Sequence, residues 1–226
     1  MDLERQFRDF LAHVPYKGNE ATYSYRLLNL ILGIGGYVDS SFKEMARYSE
    51  FSEREGCKEI LAKLSQSRKR LEEGKAPITI SIKVALKTFE SIYHLSEKHV
   101  IFRLSPEREK LLPFKPHNPK TKAPYWWETY NGLKHDVGVN IKKANLVTTR
   151  DALAGAFLLN VVHIPSCTRF YDHNLLHVDR RKRVGYTISE NGRERIRKWI
   201  LEEGRWFGYI ETPVFLFDPN NIMETT

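Results

Sequence analysis

Tyr130, Asn131, Lys134 and His135 lie within one short segment and are the side chains best suited to chemistry in this sequence. A histidine moves protons near neutral pH, and a neighbouring lysine holds an anion. Asn131 stands one helical turn before His135 and shares its side of a helix, where it can orient a substrate or the imidazole. Trp127, one further turn back, extends the same row. A plainer reading stands beside this one. Asn131, His135 and Asp136 also suit a helix end, with Lys134 and His135 favourable against the C-terminal dipole. Residue types alone leave both readings open, and the helix end is the commoner case.

A second group, His163, Cys167, His173 and His177, has the spacing H-x3-C-x5-H-x3-H. That is not a standard zinc spacing, and polar loop residues are the favoured reading. Four protein ligands would in any case staple the chain and leave no open position for catalysis. No cofactor is expected. The formal net charge of +8 favours an anionic partner such as nucleic acid. Lys142, Lys143, Arg180, Arg181 and Arg183 are the basic groups placed to guide one. Trp126, Trp127 or Tyr130 would stack on bases if exposed. Otherwise the tryptophans are core anchors for the Pro-rich segment before them.

Hydrophobic periodicity supplies the elements that must hold these groups. It predicts helices over 2–14, 23–48, 53–73, 77–98, 125–136 and 146–164. The third turns Ile60, Leu61, Leu64 and Leu71 inward and ends in a solvated basic run, Arg68–Arg70. Gly33, Gly35 and Gly36 fall inside the second helix and signal a kink or a very close helix contact. Residues 105–124 contain five prolines and read as a connector. The expected fold is mainly α, a helical bundle over 1–165 with a small mixed α/β C-terminal extension. That extension, 166–226, is basic and should hold one helix near 189–203 and short strands within 206–217. Two cysteines, no apolar leader and no apolar run long enough to cross a bilayer point to a cytoplasmic chain with reduced thiols.

The segment WWETYNGLKHD, followed by ALAGAFLLNVV, resembles the HEPN superfamily over 124–164. The resemblance implies a small α-helical bundle that forms a homodimer. It also implies a metal-independent ribonuclease of a prokaryotic defence or toxin–antitoxin system. The family signature is an Arg, four to six residues, then a His, often with a polar residue directly after the Arg. Asn131 and His135 fit the polar position and the His, which puts Tyr130 where the Arg is expected. In the implied reaction His135 activates a ribose 2′-hydroxyl or protonates the leaving oxygen, and the Arg stabilises the phosphorane. Tyr130 carries no charge at neutral pH, so Lys134 would supply it as a point charge. The rival expectation is a non-catalytic helical module for dimerisation or a protein partner. Exposure of Lys134 and His135 in a cleft favours the first reading. Burial of His135 against Asp136 favours the second.

Overall fold

Apolar residues recur at every third or fourth position from Leu27 to Met45 and produce the long helix α2, Tyr25–Arg47. Ser24 starts it, its hydroxyl accepting from the Leu27 amide at 3.2 Å. The computed structural model describes residues 2–48, 51–78, 80–117, 119–120, 122–163, 165–166, 169–170, 173, 175–178 and 208–218. Around α2 stand α1, Asp2–Leu11, then α3, Glu55–Glu72, and α4, Ile82–Tyr93. After the connector come α5, Tyr125–His135, the short α6, Val137–Asn140, a 3-10 turn at Ile141–Lys143, and α7, Leu146–Val162. The protein is mainly helical with a small antiparallel sheet, as the sequence predicts.

Helix α7 is the axis of the packing. Fourteen of its seventeen residues are buried, and only Val147, Asp151 and Asn160 are partly exposed. Asn145 caps it by accepting from the Thr148 amide at 2.9 Å. It packs against α2 and α5. Helix α2 meets α5 through Gly35. A Cβ there would lie 2.3 Å from the Tyr130 ring, so only glycine lets the ring sit that close. Gly36 has nothing within 4 Å. Of the two packing explanations for the glycine run, close approach is therefore the one realised, and it belongs to Gly35.

The sheet contains β1, Val100–Phe102, β2, Lys110–Leu111, β3, Leu176–Val178, β4, Gly208–Glu211, and β5, Phe215–Phe217. Its order is β2-β1-β5-β4-β3. Ile101 pairs with Leu216 and Phe102 with Phe215, so strand pairing crosses the boundary expected at residue 165. Phe215 is fully buried, with ring centroids 6.0 Å from Phe102 and 5.5 Å from Phe157. The C-terminal strands thus share the core of the bundle instead of packing separately.

Three expectations shift. Helix α4 begins at Ile82 and not at 77: the Ser81 hydroxyl accepts from the Lys83 amide, and the Ile78 amide donates to the Ser67 hydroxyl, which holds that stretch extended along α3. Leu71 is exposed, in the last turn of α3. The connector carries the strand β2, and its Phe114 is buried edge-on to Trp126. The predicted helix near 189–203 lies outside the described residues, as do Arg180, Arg181 and Arg183. No helix among the described residues is long and apolar enough to cross a membrane.

Candidate functional site

Helix α5 begins at Pro124, which fixes the chain for entry, and it turns Trp126, Trp127, Thr129, Tyr130 and Leu133 into the core. Trp126 is 2% exposed, and its indole N–H donates to the Pro113 carbonyl at 2.6 Å, tying the connector down. Trp127 is 4% exposed, with its ring 5.0 Å from that of Tyr130. Trp127 is therefore a core anchor and offers no stacking surface, a correction to its assignment as a nucleic-acid contact. Tyr130 is also corrected. It is 7% exposed and wedged on Gly35, so its side chain cannot meet a substrate from solvent.

Asn131 is half-buried, whereas Lys134 and His135 are exposed. The Lys134 ammonium lies 5.1 Å from the centre of the Tyr130 ring, a cation–π contact that fixes where the charge sits. His135 is not buried against Asp136. The Asp136 carboxylate instead caps α6, accepting from the Val139 amide at 3.1 Å. Asn140 then ties the turn back to α5: its amide donates to the Gly132 carbonyl at 3.1 Å and the Asp136 carbonyl at 2.8 Å. Lys143 donates to the Asn140 side-chain oxygen at 2.8 Å. The Lys143 charge is thereby held beside the last turn of α5, and Lys142 is exposed next to it. The turn behind α5 thus ties Lys143 to the helix end that carries Lys134 and His135. Asn140, which makes that tie, carries no charge and so no chemical signal in the sequence.

A second polar cluster has no counterpart among the expectations. Arg150, near the start of α7, is 5% exposed. It bonds Tyr16, reaches Glu109 at 2.5 Å and Asp151 at 2.7 Å, and lies over the rings of Tyr16 and Phe102. Burial pushes the Tyr16 phenol up to about 12 against the pull of Arg150. Nearby Glu107 is held down to about 2 by hydrogen bonds from Ser105 and Lys17. A cavity of about 370 Å³ lies among these residues. Each charge in it already has a partner within the chain, so the cluster latches the connector to α7. The adjacent Arg150 and Asp151 pair at the head of a largely apolar helix was the available signal.

Among the described residues, His163, His173 and His177 do not gather as a ligand set. The His163 ring is hydrogen-bonded to the Ser166 hydroxyl at 2.8 Å and is edge-on to Tyr48. His177 stacks on Tyr209 at 4.8 Å. His173 is exposed, and Cys167 lies outside the described residues. No group of three or more metal-binding side chains gathers among the described residues.

No protein-family model matches this chain, and no curated protein and no solved structure matches it. The likeness to HEPN proteins rests on the residues of 124–164.

Proposed function

We propose that this chain is an RNA-directed helical protein of HEPN type, with the end of α5 and the turn behind it as its phosphate-binding surface. The observation that supports this is the tether from Gly132 through Asn140 to Lys143, which adds a fixed charge beside exposed Lys134 and His135. Phosphate attraction by such a group needs no cleft. In a cleaving version of this reading, His135 removes the ribose 2′-hydroxyl proton or protonates the leaving oxygen. Lys134 or Lys143 then offsets the phosphorane charge, and Tyr130 takes no part. Homodimerisation and a place in a prokaryotic defence system accompany this reading through the resemblance alone. A protein-interaction module is the second reading, favoured by Val139, which is 75% exposed on α6 beside the basic groups.

The test is pure protein with EDTA and a mixed RNA pool, alongside His135→Ala and the double variant Lys142→Gln, Lys143→Gln. Cleavage by the wild type and not by His135→Ala, leaving 2′,3′-cyclic phosphate ends, supports the metal-independent ribonuclease. Binding without cleavage, weakened in the double variant, supports RNA binding alone. Absence of both transfers the assignment to the protein-interaction module.

A further inference from the structure

We propose that the connector loop and the solvent side of α5 form a track for single-stranded RNA that leads to Lys134 and His135. The proposal rests on the RNA-directed reading and extends it to a second surface, at the opposite end of the same helix.

Charge is the first ground. From Lys110 to Trp127 the sequence has four lysines and a histidine and no carboxylate. Lys115, His117, Lys120 and Lys122 are all exposed. Such a run is expected to draw a phosphate backbone.

The loop is also held in shape. The Lys115 amide donates to the Leu112 carbonyl at 3.0 Å, and the His117 amide donates to the Ala123 carbonyl at 2.9 Å, closing the loop at its base. Phe114 and Trp126 anchor that base in the core. Lys122 has φ +57°, a left-handed conformation that costs a side-chain-bearing residue about 1 kcal/mol. Lysines set on a braced loop lose less freedom on binding than lysines on a flexible one.

An aromatic platform stands where the loop enters the helix. The His117 and Tyr125 rings meet edge to face, 5.0 Å apart at 72°. Tyr125 is 42% exposed, in contrast to the buried Trp126, Trp127 and Tyr130. A ring presented to solvent beside lysines suits an unpaired base, because a duplex hides its base faces. Tyr125 therefore fills the stacking role that Trp127 does not.

Tyr125, Glu128 and His135 fall on one side of α5 by helical spacing and none is buried, while Gly132 on the same side carries the Asn140 side chain over it, which forms the far bank of the track. Eleven residues of helix are about 16 Å long, enough to pass a few nucleotides from the loop to His135. Glu128 is the one carboxylate along the way, and both it and Lys120 hold contacts within the chain, which leaves Lys115 and Lys122 as the main charges of the loop.

The experiment is fluorescence anisotropy of the full chain with a labelled single-stranded RNA of about twelve nucleotides. The same RNA as a duplex and a DNA strand of the same sequence serve as comparisons. The triple variant Lys115→Gln, Lys120→Gln, Lys122→Gln should weaken single-strand binding more than tenfold at low salt. It should also reduce the log–log salt slope by about 2. Tyr125→Ala should weaken binding about tenfold, the scale of one base–aromatic stack, and Tyr125→Phe should keep it. The duplex should bind more weakly and ignore Tyr125→Ala. If the triple variant keeps wild-type affinity and slope while Lys142→Gln, Lys143→Gln loses affinity, the track is wrong and the RNA-directed reading stands. If wild type binds none of the strands, both fall. DNA bound as tightly as RNA would overturn the RNA assignment of the track.

Discussion

Arginine at position 130, as in the HEPN signature, would drive a guanidinium into a slot closed by Gly35 and the Trp127 ring. The Lys134 ammonium already occupies the rim of that slot. Tyr130→Arg is expected to lose roughly 3 kcal/mol of stability, since a buried charge gains no partner there. Urea denaturation checks it, and an unchanged midpoint would mean that the ring is not core. His163 gives a pH prediction. Burial, then the charge of Arg169, lowers its pKa below the ordinary 6.5. Just below pH 6.5 the unfolded chain therefore binds a proton that the fold refuses, and stability falls as pH drops from about 7 toward 5. His163→Gln should flatten that slope in denaturation series at fixed pH values. The polar row read from the sequence also has a residue-scale lesson. A four-residue spacing advances about 40° per step around a helix. Trp127, Asn131 and His135 consequently pass from core to boundary to solvent, and spacing alone could not say where the boundary fell.

Helices α2 and α5 approach through one glycine, and two neighbouring substitutions in α2 separate packing from propensity. Gly35→Ala should destabilise by roughly 1–3 kcal/mol, because its methyl meets the rigid ring of Tyr130. Gly36→Ala meets nothing and should stabilise by up to about 1 kcal/mol. Thermal unfolding of the two variants decides, and equal effects would refute the contact. Long elements were legible for a physical reason. In α2 the 3.6 period repeats over six turns, and in α7 the apolar run is too long for a strand. Helix α4 was misjudged at its start because Ile78, Ile80 and Ile82 serve both periods, and a serine hydroxyl settled the matter.

In the whole molecule, the sheet closes over a core that the helices leave open. A chain ending at residue 165 would lack β5, baring Phe102 and Phe157 where Phe215 covers them. Such a truncation should aggregate or unfold about 10 °C or more below the full chain, the shift that roughly 4 kcal/mol produces in a domain of this size. Size-exclusion chromatography and a melt would show it, and a soluble monomer with an unchanged melt would count against the shared core. This closure was hidden in the sequence. Strands of two to four residues give almost no period, and β1 finds its partner in a distant part of the chain.

That distant pairing also orders events in time. Everything that builds the contacts among α1 to α7 leaves the ribosome before Phe215 does. The helices can assemble from near neighbours, while β1 waits with an unpaired edge and Phe102 uncovered. For that interval the nascent chain is at its most adhesive, and it stops being so only when the last hairpin arrives.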